Sequence, residues 1–585
     1  MIKKRTSFKK TLYKILSIMK DYKKDYMIII FFCLTSAIFS SLSPLFLGYV
    51  TNSLYDSVIN DLSINCSLIF KLLVIILICY LIDAVSSYAR DYMSSSVGQK
   101  IGFDLRKKLV DKLNTTKLKK LDSMKKGDII SRITNDVESI TDNITEVIPE
   151  LIYNVSLIIA VSIMMFTLSP LMAFIIMISI PINYILLSFV VKKSQKYFKL
   201  NQAELGNVNA FIEESITNND VIKSFNKEKY FEGKFDIISS KLRDYGYKSS
   251  FFSSLSVPFN KFIGNLSYIV IVCIGSVSVI KGNIKIGTIQ SFIQYMKDFN
   301  RPMNVIAQII SNIQIAISSI DRVYEIFNLE DEENGTIKEF SFEKSIEFRN
   351  VNFSYKKNKP ILKNFNLIIN KGDKVALVGK TGAGKTTIVN LLMGFYTNYE
   401  GEILIDGVEL KTIDKHIYRE YISMVLQDTW LFEGTIKENI VYNKKISEEK
   451  LSKILSKSKI LHMINSLPGG LDFVVNEEVN NISEGQKQLL TIARALVADP
   501  KILILDEATS NVDTRLEYLI NHSMNNLMKN RTSLVIAHRL STIVESDKIV
   551  VIKDGVIKEQ GTHNELLENK GYYYKLYSSQ FDINE

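Results

Sequence analysis

Hydrophobic positions are unevenly distributed along this chain. Tyr26 to Val50 and Leu68 to Tyr88 are largely apolar, as are Val147 to Leu168, Leu171 to Val191, Leu266 to Ile280 with its flanks, and Ile289 to Ile310. A membrane helix needs about 20 mostly apolar residues, so the pattern predicts a span in each of these runs. Lys71, near one end of the second run, can snorkel its ammonium to the interface. After Ile310 no such run recurs. Strand-like, helix-like and turn segments alternate there as in a soluble α/β domain.

The gaps between the predicted spans are as informative as the spans. Those after the second and fourth runs are roughly 60 residues long, and the others are short. Ala89 to Glu146 and Lys192 to Ser250 are charged, helix-periodic and poor in glycine and proline, a pattern that fits two helical extensions joined by a turn. Some 25 residues of helix would carry the chain roughly 37 Å beyond the bilayer.

Charge sets the expected orientation. Lys3, Lys4, Arg5, Lys9, Lys10, Lys14, Lys20, Lys23 and Lys24 precede the first span, against Asp21 and Asp25. Positive charge favours the cytoplasmic side, so the N-terminus and both long gaps are expected inside. The loop between the first two spans carries Asp56 and Asp61 and no Lys or Arg, whereas Lys281 and Lys285 run mildly against the rule. Residues 6 to 25, with Phe8, Leu12, Ile15, Leu16 and Met19 at helical spacing among lysines, read as an interfacial helix without a signal-peptide core. Whole-chain values of 46 % hydrophobic residues and a mean hydropathy of +0.09 conceal this division into an apolar and a soluble half. The net charge of +10 follows from topology, and no nucleic-acid partner is expected. Cys33, Cys66, Cys79 and Cys273 lie in or beside the spans, without the spacing of a metal site.

Chemistry concentrates in the second half. Gly379-Lys380-Thr381-Gly382-Ala383-Gly384-Lys385-Thr386-Thr387 follows the apolar run Val375 to Val378 and precedes the helix-like Ile388 to Leu392. That order is the setting of a phosphate-binding loop. Glycines let backbone N–H groups turn inward, the helix presents its positive N-terminus, Lys385 reaches the β- and γ-phosphates, and Thr386 can ligand Mg²⁺. Lys501 to Glu507 is a buried-strand run ending in two carboxylates. Asp506 is placed to hold Mg²⁺ through water, and Glu507 to orient or deprotonate the attacking water.

Between these motifs lies Ile482-Ser483-Glu484-Gly485-Gln486-Lys487-Gln488, a polar turn opening a helix. Here the chain resembles the ATP-binding cassette family, and the resemblance covers nearly all of it. Gln427 is similar to that family's Q-loop glutamine, a catalytic and Mg²⁺-binding position. Ser510 to Asp513 is similar to its D-loop, His538 to its switch histidine, and Tyr355 to the aromatic that stacks on adenine. The resemblance implies that ATP lies between the phosphate loop of one cassette and Ser483, Gly485 and Gln486 of another, with Asp513 nearby, so the chain must pair. It also implies an exporter subclass: an α-helical six-span membrane domain followed by an α/β phosphate-loop nucleotide-binding domain. Gly127 to Asp136 and Gly206 to Phe225 are similar to that subclass's two cytoplasmic loops, and their tips, near Asp128 to Asp136 and Gly206 to Glu214, are expected to dock on the cassettes. The expected boundaries are a basic interfacial segment at 1–25, the membrane domain at 26–327, a linker at 328–344 and the cassette at 345–585.

The signature departs from the family pattern at Ile482 and Glu484, and Asn476 to Asn481 lacks the glycines expected there. Full competence and a weaker site within a heterodimer are both compatible with this; intact Glu507 and His538 imply a working catalytic half, and a complete Glu507 beside an altered signature favours the heterodimer over a homodimer. Export of an amphipathic small molecule, lipid or peptide across the cytoplasmic membrane is the expected function. An ATP-dependent membrane sensor using the same cycle without net transport is the alternative. Lys297, Asp298 and Arg301, and Asp83 in the second span, either line a cargo path or pair with one another.

Overall fold

The structure is a computed structural model. It describes residues 17–60, 63–356, 359–426, 429–442, 444–476, 481–506, 514–536 and 543–580. Gln427, Glu507, Ser510 to Asp513, His538 and most of the basic N-terminal segment lie outside the described residues. The chain divides into two compact units, Met1–Lys112 with Lys126–Asn328, and Leu113–Lys125 with Leu329–Glu585.

The first unit is helical. Its elements are α1 (Lys23–Ile59), α2 (Cys66–Thr115, which ends in the second unit), α4 (Lys126–Leu168), α5 (Pro170–Thr217), α6 (Asn219–Ser224), α7 (Glu228–Ser254), α8 (Ser256–Ile280) and α9 (Ile286–Phe327), with the short α3 (Leu118–Asp122) belonging to the second unit. Lipid offers no hydrogen bonds, so helices that close their own backbone bonds are the form an apolar run must take there. Among the described residues, Lys23–Ile59, Cys66–Thr115, Lys126–Leu168 and Lys261–Ile280 are apolar and long enough to cross a membrane. The other two apolar runs of the sequence lie on α5 and α9.

Helix α1 packs against α4 and α9, and α5 packs against α7 and α8. Leu157, Val161, Met165, Phe292, Tyr295 and Phe299 are buried at the centre. Where α1 meets α9, small residues let the backbones approach closely. A Cβ added to Gly287 would stand 1.9 Å from the Gly48 carbonyl oxygen. The same contact is tied by polar bonds: Ser291 donates to the Pro44 carbonyl at 2.8 Å and Tyr295 to that of Ser41 at 2.9 Å.

The gap after the second apolar run departs from the expectation. Sequence reasoning puts its docking tip near Asp128 to Asp136, yet these residues belong to the first unit and are held against α9. Buried Arg132 binds Asp128 at 2.8 Å, Glu325 at 3.0 Å and the Arg322 carbonyl at 2.8 Å, while Arg322 binds Asp128 and Asp136. The portion grouped with the cassette is residues 113–125. In the second gap, Gly206 to Glu214 lies inside α5, and the turn comes later, at α6.

The second unit is built on strands β1 (Ser345–Phe353), β2 (Leu362–Asn370), β3 (Lys374–Val378), β4 (Glu400–Ile405), β5 (Val408–Glu409), β6 (Ile422–Val425), β7 (Gly434–Thr435), β8 (Val474–Val475), β9 (Ile502–Asp506), β10 (Thr532–Ile536), β11 (Lys548–Lys553) and β12 (Val556–Gly561). Among the described residues, one sheet has the order β12-β11-β3-β10-β9-β6. It is parallel except for β12, and its central strands are almost continuously apolar, as burial on both faces demands. An antiparallel sheet has the order β2-β1-β4-β5. Helices α10 (Lys385–Leu392), α11 (Lys415–Tyr421), α12 (Ile436–Val441) and α13 (Glu484–Ala498) carry the residues discussed below.

Residues 113–125 are clasped to the strand-like start of this unit. Thr116 bridges Asp331 antiparallel, Lys117 N donates to the Glu330 carbonyl at 3.1 Å, and Glu332 N donates to that of Thr115 at 2.7 Å. Lys117 also binds Glu333 at 2.6 Å, and Lys120 binds Glu330 at 3.3 Å. Glu332 carries the clasp onto α11. Burial opposes its ionisation, but bonds from Arg419 at 2.7 Å and Lys415 at 3.1 Å hold its carboxyl below the usual range.

The close approach of α1 and α9 is testable. Gly287→Ala must push the two backbones apart, an overpacking cost of about 1–3 kcal/mol. Its thermal midpoint in detergent is expected to fall by at least about 2 °C. Gly264→Ala, where an added Cβ meets nothing within 4 Å, should not lower it.

Candidate nucleotide site

Strand β3 is buried along Val375 to Val378 and delivers the chain into the glycine-rich loop at the carboxyl edge of the parallel sheet. Ligands bind at such edges because helix N-termini and loop amides converge there. Gly379 is required by space, since a Cβ would stand 2.3 Å from the Ile552 carbonyl oxygen of the neighbouring strand. Gly384 is required by conformation, at φ +108° immediately before α10. Ala383 and Thr387 are buried and anchor the loop, whereas Lys380, Thr381, Gly382 and Thr386 are exposed around it.

Lys385 opens α10 and folds back over the loop, donating from Nζ to the Gly379 carbonyl at 2.5 Å and to that of Lys380 at 3.3 Å. Burial lowers its pKa, and the negative charge of Asp506 opposes that shift. Asp506 ends β9 and pairs in register with Ile536 of β10, which pairs with Leu377 of β3. The carboxylate thus stands two strands from the loop, about 10 Å across the sheet. The Thr386 hydroxyl and Asp506 carboxylate are hard oxygen donors of the kind Mg²⁺ takes. No group of three or more metal-binding His, Cys, Asp or Glu side chains occurs among the described residues. This donor set suits Mg²⁺, which keeps water and binds substrate phosphate rather than a complete protein cage.

Tyr355 sits just after β1 in an aromatic trio. Its ring meets that of Tyr396 at 5.1 Å and that of Phe353 at 4.9 Å, both edge-on. Asn390 of α10 donates to the Tyr355 hydroxyl at 3.2 Å, linking this ring to the helix that begins with Lys385. Buried Tyr396 in turn donates its hydroxyl to Asp122 of α3 at 2.9 Å. Burial and this bond both raise the Tyr396 pKa. Sequence reasoning missed Tyr396 and Asp122. They are 274 residues apart, and nothing local marks either as a partner of the other.

The signature segment carries a further local signal, which sequence reasoning also missed. Ser483 caps α13: its Oγ accepts from Gln486 N at 3.3 Å, and Gln486 Oε1 accepts from Ser483 N at 2.9 Å. Ser-x-x-Gln before a helix is a capping box, legible from spacing alone. Ile482 is buried in the core, so an aliphatic side chain suffices there. Glu484 is exposed in the first turn and pairs with Lys487 at 2.7 Å. Gly485 is buried beside it, and Ser483 is exposed at the helix start. Further along α13, Arg494 donates to the Asn439 carbonyl of α12 at 2.8 Å and to the Trp430 carbonyl at 3.2 Å. The signature helix is thereby tied to the segment after Gln427.

A phosphate loop, an acid-ended strand two places away and a capped signature helix on one α/β sheet, preceded by a bundle of long apolar helices, define an ATP-hydrolysing membrane transporter. Residues 26–303 match the family described as ABC transporter transmembrane region, and residues 362–510 match that described as ABC transporter. The chain belongs to the ABC transporter family, with an N-terminal helical transmembrane domain fused to its cassette. It is 35 % identical over 580 residues to the Uncharacterized ABC transporter ATP-binding protein YfiC of Bacillus subtilis, covering 98 % of this chain and 95 % of that one. It is 36 % identical to a Fatty acid ABC transporter ATP-binding/permease protein of Mycobacterium bovis, covering 89 % of this chain and 83 % of that one. It is 34 % identical to an ATP-dependent lipid A-core flippase of Syntrophus aciditrophicus, covering 86 % and 85 %.

The Tyr396–Asp122 bond yields a prediction. Tyr396→Phe keeps the ring beneath Tyr355 but removes a hydrogen bond to a carboxylate, worth about 1.5–3 kcal/mol. Amide hydrogen exchange over 118–122 is expected to accelerate about tenfold or more, while affinity for a fluorescent ATP analogue changes less than about threefold. Tyr396→Ala, which also removes the ring, should weaken nucleotide binding. Unchanged exchange in Tyr396→Phe would show that the bond does not hold the segment.

Proposed function

We propose that this chain is one half of a dimeric exporter. It couples ATP hydrolysis to outward movement, or leaflet flipping, of an amphipathic small molecule, lipid or peptide across the cytoplasmic membrane. The observation that carries the reading is the exposed start of α13, where the Ser483 side chain and the helix N-terminus are open to solvent. Such a helix start suits a phosphate supplied by a second cassette. The relatives named for fatty acid and lipid A-core transport support a lipid-like cargo. The basic N-terminal residues support an inside N-terminus and an inside cassette.

In this reading Tyr355 stacks on adenine, and the loop amides of Gly379 to Thr387 cradle the phosphates. Lys385 leaves the loop carbonyls for the β- and γ-phosphates. Thr386, Asp506 and Gln427 would hold Mg²⁺, which when bound would neutralise phosphate charge. Glu507 orients or deprotonates the attacking water, and His538 contacts the γ-phosphate. Ser483, Gly485 and Gln486, with Asp513, complete the partner's site. Glu484 places a carboxylate where γ-phosphate charge accumulates, only partly offset by Lys487. That local repulsion supports a heterodimer, in which the partner's signature completes this chain's catalytic half.

Two variants separate binding from chemistry. Lys385→Ala should abolish hydrolysis by weakening nucleotide occupancy, whereas Glu507→Gln should retain ATP and block turnover, a loss of about 10²-fold or more. Near-parental turnover in Glu507→Gln, measured with each chain's site followed separately, would remove it as the base. Purification of this chain alone tests pairing. A stable homodimer whose lipid-stimulated ATPase equals that of any mixed dimer would overturn the heterodimer. Stimulated ATPase without movement of any cargo in vesicles would instead favour the sensor reading.

A further inference from the structure

Within the first unit lies a cavity of about 700 Å³ lined by α1, α2, α4 and α9. Its volume falls within the roughly 300–1,000 Å³ of small-molecule sites. Six charged side chains line it: Arg90, Asp91, Glu146, Glu150, Asp298 and Arg301. Four are acidic and two basic, so acidic side chains outnumber basic ones on this wall by two.

Their partners show where the excess lies. Arg90 is already engaged, 2.8 Å from Asp91 and 4.9 Å above the ring of Tyr153. Asp298 accepts from Gln294 at 3.1 Å and shares the wall with Arg301. Glu146 and Glu150, on the α4 side, have no ion pair or side-chain hydrogen bond among the described residues. Asp83, also a sequence candidate for a cargo path, is instead bonded by Ser36. The cavity sits where the apolar run of α2 gives way to its charged extension, so a headgroup there can leave its tail among the apolar helices. Glu146 and Glu150 are exposed at this wall, where an opposite charge on a ligand can reach them.

We propose that this cavity is the cargo headgroup site and that Glu146 and Glu150 make it select a cationic amphiphile, an amine or quaternary ammonium, over an anionic one. The proposal rests on the export function above and supplies its substrate class. An anionic headgroup would add a like charge to the wall, whereas a cation completes it. Carboxylate cargo of the kind named for the fatty-acid relative is therefore disfavoured in this chain.

The test uses the full chain in the dimer it forms, reconstituted in vesicles with three probes sharing one fluorescent acyl tail: a trimethylammonium, a phosphocholine and a carboxylate. The trimethylammonium probe is expected to be moved with a half-saturating concentration at least about tenfold below that of the carboxylate. The double variant Glu146→Gln, Glu150→Gln is expected to reduce that preference below about threefold. Equal or better movement of the carboxylate, or a preference that survives the double variant, overturns the headgroup assignment and leaves export standing. ATP hydrolysis with no movement of any probe overturns both. If the double variant does not assemble, the parent's ranking of the three headgroups decides alone.

Discussion

Every backbone N–H and C=O in this chain needs a partner, and the two units meet that demand in opposite ways. Lipid supplies none, so the apolar runs close their bonds internally, in helices reaching 50 residues. Pro44, Pro181 and Pro302 lie inside such helices, and the Pro44 carbonyl accepts a further bond from Ser291 of α9. In the cassette the reverse is useful. The loop after β3 turns through Gly382 and Gly384 at positive φ, which aims amides at a ligand rather than at a neighbouring strand. Membrane crossing and phosphate binding are two answers to one accounting problem.

The nucleotide site extends beyond the residues that would touch ATP. Asn390, Tyr355, Tyr396 and Asp122 form a continuous series, from the helix that begins with Lys385 through an aromatic pair to a short helix contributed by a distant stretch of the chain. Each link is a modest bond or ring contact. Their continuity lets the Tyr355 ring and the segment 118–122 share one rigid setting. The Glu332 carboxylate, gripped by Lys415 and Arg419, fixes the same segment from its other side through the backbone pairing at Thr115 to Lys117.

Features carried by local pattern are legible in the sequence: the apolar runs, the strand-loop-helix around Lys385, and the acid-ended strand at Asp506. So is family membership, because several short motifs occur in order. The capping box of Ser483 and Gln486 is equally local, but a reading of these residues as phosphate ligands alone passes over it. Pairings between distant segments are not legible. Asp128 to Asp136 looks like a docking tip because it is polar and resembles a loop motif. Its charges in fact meet Arg322 and Glu325, nearly 200 residues away. Glu507, His538, Gln427 and Asp513 remain readings from sequence motifs alone.

The clasp between Thr115 and Asp331 spans 216 residues and has a consequence for how the chain is made. At about 5–20 residues per second, the ribosome needs roughly 10–40 s to deliver Asp331 after Thr115 has emerged. During that interval the backbone pairing of residues 115–117 with 330–332 cannot form, while the intervening helices must already enter the bilayer. Lys117, Lys119 and Lys120 keep this waiting segment strongly cationic until Glu330 and Glu333 arrive to neutralise two of its charges. A truncated chain that stops before residue 330 would therefore leave Lys117 and Lys120 without Glu330 and Glu333.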